Sequence, residues 1–386
     1  MKLLTVVGNR PQFIKASVLS KALASNHQEV LVHTGQHHDY ALSARFFAEL
    51  ELKEPDHFLG ISGGSNASQL GRMLPALVAV IEAEEPDAVL VYGDTNTTLA
   101  GSLAAATVGR SFGLLDRCGK EVARRGVPLI HVEAGMRSDD WTMPEEHNRV
   151  LTDHLATLLV CSTERAQRNL EEEGLLARPG RIAAVCGDLM ADLAVAVAER
   201  AGAATGVLQR LGLEPKEYLL VTAHRAGNVD RKERLEALVG LLAGLAKRHK
   251  VVLPLHPRTR NRLVEFGLLG RVEAIPNLVI TPPLPYLETA TLLRHARAAL
   301  TDSGGLQKEA YLAGVRCLTL RDRTEWQETV DCGWNFLVDL SLERAVAALE
   351  APLPQQRPPL FGAGQAAQRT AAAIDALAQR LVRESR

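Results

Sequence analysis

The stretch IHVEAGMRSDDWTMPEEHNR, Ile130–Arg149, contains the unit from which the whole chain is built. The apolar residues from Val127 to Val132 predict a buried strand, and Pro144 predicts the first turn of a helix. Between them lies a polar loop that begins with Glu133. Apolar strands, polar loops and amphipathic helices recur in this order along the sequence, and that alternation is typical of parallel α/β sheets with helices on both faces.

Two series of strands predict two domains, and 386 residues are enough for both. We expect Rossmann-like parallel sheets in residues 1–186 and 187–364, and a terminal helix in residues 365–386 that packs back on the first domain. The strands are predicted at Leu3–Val7, Glu29–His33, Ala88–Tyr92, Val127–Val132, Leu158–Cys161, Ile182–Cys186, Tyr218–Thr222, Val251–Leu255, Leu278–Ile280, Ala298–Thr301 and Arg316–Leu320.

The composition argues against several classes of protein. A net charge of -1 offers no basic surface for nucleic acid or for an anionic membrane. The five cysteines are scattered without a CxxC pair, which argues against a zinc site or a disulfide framework and fits a reduced cytoplasm. The apolar run in MKLLTVVGNRP is too short for a signal peptide, and no run in the sequence reaches membrane-spanning length. We therefore expect a cytoplasmic protein.

Two glycine-containing loops are candidates for binding phosphate. In TDSGGLQKEA, Gly304 and Gly305 begin a predicted helix whose first N–H groups can face an anion, and Glu309 in the second turn can accept from ribose hydroxyls. GNRPQFIK has the same layout, with Arg10 and Lys15 as cations. A capped tight turn and a solvated basic pair are the simpler alternatives. The sequence has neither GxGxxG nor GxxxxGK[ST], so it carries no dinucleotide fingerprint and no P-loop.

Carboxylates that directly follow buried strands are candidates for proton transfer. Glu133 ends one strand, and Asp94 in YGDTNTT ends the neighbouring one. Carboxylates on separate strand ends suit acid–base chemistry, whereas a metal site would need closely spaced ligands, usually with histidine. Glu145 lies in the first turn of a predicted helix, where the helix dipole alone would favour it. His224 in TAHRAGN and His256 in LHPRTR follow strands of the second domain at corresponding positions.

Nine motifs in register resemble one family. They are GNRPQFIK, TGQHHDY, YGDTNTTLAG, HVEAGMRS, PEEHNR, TAHRAGN, LHPRTR, TDSGGLQKEA and LRDRTEWQE, and together they resemble the non-hydrolysing UDP-N-acetylglucosamine 2-epimerases over nearly the whole chain. The resemblance implies a glycosyltransferase-B arrangement of two Rossmann-like domains with a UDP-sugar in the cleft, and a homodimer. It implies loss of UDP from C1, a 2-acetamidoglucal-like intermediate and re-addition with C2 inverted, with no cofactor and no metal.

The resemblance also implies roles for individual residues. Its active-site positions fall on Arg10, Lys15, Asp94, Glu133, Glu145 and His224, and its nucleotide-binding positions on Ser303, Gly304, Gly305 and Glu309. We expect Asp94, Glu133 and Glu145 to form the acid–base set. We expect His224, Arg10 and Lys15 to stabilise charge on UDP. Four more residues fall within the motifs, namely Gln36, His37, Arg137 and Asn148, and the resemblance implies that the first three bind substrate.

The chain departs from the family pattern at three places. TEWQE replaces the usual TERPE, so Trp326 stands in place of a nucleotide-binding arginine, and we expect Arg321 to supply the missing charge. Gln12 in RPQ stands in place of a glutamate. Residues 107–125 are longer than the family's connection, and we expect them to form a surface excursion outside the site.

Two alternatives follow from these departures and from the architecture. RPQFIKA, LPLHPRTR, QKEA and TEWxE are closer to a branch that acts on UDP-2,3-diacetamido-2,3-dideoxyglucuronate, which is the alternative substrate of the same chemistry. The alternative of another class is a UDP-sugar glycosyltransferase of the same architecture. It would share the TDSGG loop but would not need acids on both faces of the sugar.

Overall fold

The computed structural model describes residues 1–36, 52–116, 118–201, 206–362 and 364–382, apart from the side chains of Arg10 and of residues 196–201. The chain forms two compact units, one of Met1–Leu193 with Phe361–Arg386 and one of Ala194–Leu360. Across the described ranges, no helix is both long enough and apolar enough to cross a membrane.

The first unit contains a seven-stranded parallel sheet and a small antiparallel sheet. The parallel sheet has the order β3-β2-β1-β4-β7-β8-β9. The strands of the unit are β1 (Lys2–Val7), β2 (Gln28–His33), β3 (His57–Phe58), β4 (Ala88–Tyr92), β5 (Ser111–Leu115), β6 (Glu121–Arg125), β7 (Leu129–Ala134), β8 (Leu158–Cys161), β9 (Ile182–Val185) and β16 (Leu381–Val382). Its helices are α1 (Arg10–Leu23), α2 (Asn66–Glu84), α3 (Asn96–Thr107), α4 (Pro144–Leu155), α5 (Glu164–Glu172) and α16 (Ala366–Arg380), and α6 (Leu189–Ala201) begins in this unit and continues into the second.

The second unit contains a six-stranded parallel sheet of order β12-β11-β10-β13-β14-β15. Its strands are β10 (Tyr218–Thr222), β11 (Lys250–Pro254), β12 (Leu278–Thr281), β13 (Ala298–Thr301), β14 (Arg316–Thr319) and β15 (Asn335–Leu337). Its helices are α7 (Gly206–Arg210), α8 (Ala226–Val229), α9 (Lys232–Ala246), α10 (Pro257–Glu265), α11 (Leu269–Glu273), α12 (Tyr286–His295), α13 (Gly304–Leu312), α14 (Gln327–Asp331) and α15 (Leu342–Glu350). The predicted fold class, α/β with two Rossmann-like parallel sheets, is confirmed.

The strands of the first sheet are apolar on both faces, as a sheet covered by helices on each side requires. In β1, Leu3 and Val7 belong to one buried cluster, while Leu4 and Val6 belong to another. This alternation follows from the two-residue period of a strand. Helices begin where the sequence offers caps: the Asn9 side chain accepts from Gln12 N at the start of α1, and Thr95 and Thr98 form a reciprocal cap on α3.

Both sheets reverse their strand order at one point. In the first sheet the order turns between β1 and β4, and in the second between β10 and β13. At such a reversal the connecting helices leave to opposite faces, and a crevice forms beyond the carboxyl ends of the two central strands. The loops after β1 and β4, and those after β10 and β13, are therefore the places where each unit can bind a ligand.

The division between the units differs from the expected boundaries at 186 and 364. Residues up to Leu193 belong to the first unit, as do those from Phe361 onward. Asp188 N donates to Phe361 O at 2.9 Å, and the Asp192 carboxylate accepts from the N–H groups of Ala366 and Ala367 at 2.9 and 2.8 Å. The Asp192 bonds cap α16, whose residues Ile374 and Leu377 are buried in the first unit.

Most of residues 107–125 form a β-hairpin of β5 and β6, which the sequence analysis did not predict. The hairpin is tied to the unit at both strands. β5 pairs with β16 in antiparallel register, Leu114 is fully buried, and Arg124 donates to Leu155 O at 3.1 Å and to Gly180 O at 3.2 Å. The segment is therefore a structural element of the first unit and is more than a surface excursion.

We expect Leu114→Ala to lower the free energy of unfolding by about 2–5 kcal/mol, because it leaves a cavity in a packed core. Leu115→Ala is the matched control, since Leu115 is the next residue on the same strand and is only half-buried. Urea unfolding followed by circular dichroism measures both. An equal loss in the two variants would show that the hairpin is not anchored through Leu114.

Candidate active site

Helix α1 and strand β7 bring two predicted residues into contact in the first unit, beside the end of β4. The Lys15 ammonium contacts the Glu133 carboxylate, and both side chains are less than one-tenth exposed. Gly93 separates β4 from Asp94 with a φ of 64°, and a Cβ there would lie 3.2 Å from Glu133 Oε2 and 3.6 Å from Lys15 Nζ. The absence of a side chain at Gly93 therefore leaves the space in which the lysine and the carboxylate meet.

Glu133 itself adopts an unusual backbone conformation. Its φ is 73°, in the left-handed region, and the pairing of β7 with β8 shifts register between Val132 and Ala134. A left-handed non-glycine residue costs roughly 1–2 kcal/mol, which the surrounding contacts must offset. Strain of this kind is concentrated at functional sites. The bulge turns the Glu133 side chain toward Lys15 instead of leaving it in strand alternation.

The helix α4 carries the second group of site residues. The Arg149 guanidinium pairs with Asp94, and Asn148 Nδ2 donates to Asp94 O at 2.9 Å. Glu145 lies three and four residues before them, which places it on the same helix face. Asp94 and Glu145 are both half-buried, so each remains accessible to a small ligand. The structure thus brings Glu133 and Lys15 together beside Gly93, and it pairs Asp94 with the helix that carries Glu145.

Glu146, next to Glu145, has a structural role. Its carboxylate is buried, pairs with Arg149 at 2.8 Å and accepts from the backbone N–H groups of Ser138 and Asp139. It therefore links the start of α4 to the loop that follows β7. The two neighbouring acids of the PEE motif differ in burial: the Glu146 side chain is buried and stabilises the loop, whereas Glu145 is half-buried.

Gln12 and Gln36 tie the loops of this edge to one another. Gln36 Oε1 accepts from Thr97 N at 3.1 Å and Thr97 Oγ1 at 2.7 Å. Gln12 is buried; its Nε2 donates to Tyr92 O at 2.8 Å and its Oε1 accepts from Gly8 N at 2.8 Å. The bond to a carbonyl oxygen needs a donor, so the carboxamide of Gln12 fits where an ionised glutamate would not.

We expect Gln12→Glu to destabilise the first unit by about 1–3 kcal/mol, because a buried carboxylate would face the Tyr92 carbonyl without a donor. Gln28→Glu is the control, since Gln28 is exposed at the start of β2. Thermal unfolding at neutral pH compares the two variants. A Gln12→Glu variant as stable as the control would refute this account of the RPQ departure.

Arg137 is directed into the protein. Its Nη1 donates to Asp153 Oδ2 at 2.8 Å, and its Nε and Nη2 donate to Glu173 at 2.6 and 2.8 Å. Burial opposes its charge, but the bonds to Glu173 and Asp153 raise its pKa above the ordinary value. Expected from the resemblance to bind substrate, Arg137 here holds the loop after β7. Asp153, which the sequence analysis missed, accepts from both Arg137 and Gly135 N.

In the second unit, Asp302 organises the loop after β10. The carboxylate is fully buried and accepts from His224 N at 3.1 Å, Arg225 N at 3.0 Å and Asn228 Nδ2 at 3.1 Å. Asp302 belongs to the TDSGG motif after β13, and its hydrogen bonds hold the TAHRAGN motif after β10. The strand order of the sheet reverses between these two strands. The sequence analysis considered only a capped tight turn at this motif and missed the role of Asp302.

His224 lies half-buried beside this carboxylate. Its ring stacks on His256 with centroids 4.9 Å apart, and Nδ1 lies 3.8 Å from Asp302 Oδ1. Burial lowers the pKa of His224; Asp302 opposes the shift, while Arg225 and Arg258 add to it. The imidazole is therefore neutral near pH 7 and can act as a hydrogen-bond donor or acceptor, rather than as a fixed cation.

The glycine turn after β13 begins helix α13 and is backed by a buried carboxylate. Ser303 is the N-cap residue, and a Cβ at Gly304 would overlap Glu325 Oε1. Glu325 pairs with Arg321 at 2.8 Å and lies 3.9 Å from Arg225. Two arginines thus converge near the N-terminus of a nine-residue helix, where the dipole also favours anions. Glu309, in the second turn, is half-buried.

Trp326 packs beneath this turn and is not available for stacking on a ligand. Only 3% of it is exposed, its Nε1–H donates to Gly304 O at 2.9 Å, and Lys308 Nζ lies 4.4 Å from the ring centroid. The expected compensation by Arg321 is consistent with the position of its guanidinium near Gly304. Trp326 itself supports the backbone of the glycine turn.

Two predicted residues lie beyond this description. His37 lies outside the described residues, and the side chain of Arg10 is likewise not described, although its backbone begins α1. Within the described part of the chain, no three His, Cys, Asp or Glu side chains form a group that could hold a metal ion.

Comparison with known proteins shows which family the chain resembles along its length. The family model described as UDP-N-acetylglucosamine 2-epimerase matches residues 21–113 and 119–375, and its gap falls in the hairpin of β5 and β6. The UDP-2,3-diacetamido-2,3-dideoxy-D-glucuronate 2-epimerase of Pseudomonas aeruginosa is 43% identical over 378 residues, which cover 96% of this chain and 98% of that protein. The UDP-N-acetylglucosamine 2-epimerase homolog of Methanococcus maripaludis is 42% identical over 347 residues, with coverages of 89% and 90%.

Solved structures give the same result. The Methanocaldococcus jannaschii UDP-GlcNAc 2-epimerase in complex with UDP-GlcNAc and UDP has a TM-score of 0.86 and 36% identity, and covers 97% of this chain and 100% of its own. A UDP-glucosyltransferase from Polygonum tinctorium, at 12% identity and a TM-score of 0.54, shares the fold alone. The matched family model and the identities of these relatives place the chain in the UDP-N-acetylglucosamine 2-epimerase family, whose members are isomerases acting on nucleotide sugars.

Proposed function

We propose that this enzyme inverts C2 of a UDP-2-acetamido sugar by eliminating UDP and adding it back. The observation that carries the proposal is the contact of Lys15 with Glu133 beside Gly93, the residue that precedes Asp94. Asp94 in turn pairs with Arg149 on α4, the helix that also carries Glu145. The proposed acid–base set consists of the three carboxylates. The proposed nucleotide-binding set is Ser303, Gly304, Gly305, Glu309, Arg321 and His224.

The chemistry requires these two sets for different reasons. The C2 hydrogen has no neighbouring carbonyl, so it becomes acidic only as the C1–O bond breaks and positive charge develops at C1. The bond electrons leave with UDP, a carboxylate takes the C2 proton, and a C1–C2 double bond forms. Protonation of C2 from the other face and return of UDP to C1 complete the inversion. One carboxylate on each face and a firm hold on the diphosphate are therefore needed.

The residues of the second unit suit the leaving diphosphate. The N-terminus of α13 offers backbone N–H groups, and the guanidinium groups of Arg225 and Arg321 lie near it, on either side of the Glu325 carboxylate. A neutral His224 can donate a hydrogen bond to a phosphate oxygen without forming a permanent ion pair. Release and recapture of UDP both require such reversible binding.

The alternative substrate, UDP-2,3-diacetamido-2,3-dideoxy-D-glucuronate, uses the same chemistry. It is favoured by the relative from Pseudomonas aeruginosa, which is named for it and is 43% identical to this chain. Lys15 and Arg10 are the cations of the first unit that we would expect near a sugar carboxylate.

We also propose that the enzyme is a homodimer and that it is located in the cytoplasm. Light scattering after gel filtration tests the homodimer.

Proton NMR in deuterated water with a single UDP-sugar tests the proposal. An epimerase exchanges the C2 hydrogen for deuterium and forms a second sugar isomer without an acceptor, whereas a glycosyltransferase does neither. The values of kcat/KM for UDP-GlcNAc and for the diacetamidouronate are compared. EDTA is present in both assays, because lysine and arginine, not a metal ion, supply the positive charge in the proposed mechanism. Absence of exchange with both sugars would refute the proposed reaction.

A further inference from the structure

The buried imidazole of His131 contacts hydrogen-bond acceptors at both nitrogens. Nε2 lies 2.7 Å from Gly93 O, and Nδ1 lies 2.7 Å from Asp153 Oδ1. A carbonyl oxygen only accepts, so Nε2 carries a proton. Asp153 Oδ2 accepts from Gly135 N at 3.1 Å and from Arg137 Nη1 at 2.8 Å, as an ionised carboxylate does. We therefore expect Nδ1 to donate as well, so that His131 carries both ring protons.

The ionised state of Asp153 agrees with its surroundings. The side chains of Asp153 and His131 are completely buried. Burial opposes the charge of Asp153, but His131 and Arg137 outweigh it and hold the pKa of Asp153 below its ordinary value. A buried ion pair of this kind needs well-formed hydrogen bonds to be tolerated, and here the remaining oxygen is satisfied by Gly135 and Arg137.

The His131–Asp153 pair connects the two strand ends that bear the carboxylates. Gly93, bonded to His131, immediately precedes Asp94. Gly135, bonded to Asp153, lies two residues after Glu133. Asp153 projects from α4, the same helix that carries Arg149, the partner of Asp94. Asp153 therefore contacts the loop after β7 directly, through Gly135, and the loop after β4 indirectly, through His131.

We propose that Asp153 and His131 are positioning residues that fix the separation of Asp94 and Glu133. The inference rests on the proposed function, because it assigns the pair a purpose in the acid–base step. Glu133 occupies a left-handed conformation that would relax if the turn at Gly135 were released. A displacement of about 1 Å of a reacting group lowers a rate by about 10²-fold. Neither residue touches the sugar in this proposal; each acts through the carboxylates.

The first test uses the unmodified protein. Selective ¹⁵N labelling of histidine separates imidazolium from neutral imidazole by chemical shift, and the signal of His131 is assigned by its loss in His131→Gln. We expect both nitrogens of His131 to be protonated at pH 7. A neutral tautomer in the wild-type protein would overturn the proposal, whatever the variants do.

The second test compares Asp153→Asn with Thr152→Val. Thr152 is equally buried at the preceding position of α4, and its hydroxyl lies 3.3 Å from Ser102 Oγ instead of contacting the strand ends. We expect Asp153→Asn to lower kcat by about 10²-fold with KM and the Kd for UDP unchanged, because UDP is held by the second unit. We expect Thr152→Val to lower the melting temperature while keeping kcat within about threefold of wild type.

The outcomes separate this inference from the proposed function. If the wild-type enzyme exchanges the C2 hydrogen and Asp153→Asn exchanges it equally fast, the positioning role alone fails. If Asp153→Asn and Thr152→Val lose kcat in the same proportion, Asp153 serves only the stability of the fold and the proposal is overturned. If the wild-type enzyme does not exchange the C2 hydrogen of either sugar, the proposed function itself fails. The protonation state of His131, measured by its ¹⁵N chemical shifts, remains an independent result.

Discussion

Replacing Glu133 by glutamine is expected to lower kcat by about 10³-fold, the typical contribution of a positioned general acid or base. Glutamine keeps the size of the side chain and can still accept a hydrogen bond from Lys15, but it cannot take up a proton. Exchange of the C2 hydrogen in deuterated water should fall by the same factor as turnover. Steady-state kinetics and proton NMR measure the two rates on the same sample.

The matched control for this prediction is Glu164→Gln, since Glu164 is an exposed acid in the first turn of α5. Because Glu133→Gln leaves the buried Lys15 without its partner charge, stability is measured alongside activity and rates are expressed per folded molecule. A folded Glu133→Gln variant with kcat within tenfold of wild type would remove Glu133 from the acid–base set and leave Asp94 and Glu145.

Asp302→Asn is expected to lower both the stability of the second unit and the affinity for UDP. The fully buried carboxylate accepts from His224 N, Arg225 N and Asn228 Nδ2, and an amide group must turn an N–H toward at least one of these donors. We expect a loss of about 3 kcal/mol in the free energy of unfolding, since hydrogen bonds to charged groups are worth about 1.5–3 kcal/mol each. Displacement of His224 and Arg225 should weaken UDP binding by about 10²-fold.

Asp322→Asn is the control for Asp302→Asn, because Asp322 is an exposed aspartate in the segment that also carries Arg321. Isothermal titration with UDP and urea unfolding provide the two measurements. If UDP binds the Asp302→Asn variant as tightly as the control, the loop after β10 does not contribute to nucleotide binding and His224 loses its proposed role.

The strands and their loops could be predicted because both signals are local. The apolar run from Val127 to Val132 and the helix start at Pro144 are confirmed, with β7 at Leu129–Ala134 and α4 beginning at Pro144. A strand buried on both faces needs unbroken apolar sequence, and a helix start needs a proline or a cap. The sequence therefore carries this information within a few residues of each element.

The contacts that organise the site could not be predicted in the same way. Asp153 lies inside α4 without a neighbouring motif, yet it contacts His131, Gly135 and Arg137, which are 16 to 22 residues away in the chain. Glu325 and Asp302 are similar cases in the second unit. A buried carboxylate differs from a solvated one only in its surroundings, and these depend on the order of strands in the sheet.

The hairpin was missed because its strands are short and mixed in polarity. β6 reads Glu121–Arg125, with charged residues at three of five positions, and alternates between exposed and half-buried. Its partner β5 is stabilised by β16, which is more than 260 positions further along the chain. Strand propensity depends strongly on such partners, so a local reading of residues 107–125 indicates only a polar surface segment.

The first unit is assembled from two separate pieces of chain, and this has a consequence for its synthesis. Residues Phe361–Arg386 leave the ribosome only after the whole of the second unit has been made. At about 5–20 residues per second, that interval lasts roughly 10–30 s. Until then the surface that Ile374 and Leu377 will cover, and the edge of β5 that β16 will pair with, remain open to solvent and to other nascent chains. The continuous second unit can finish folding first, so chaperone demand should concentrate on the unfinished first unit.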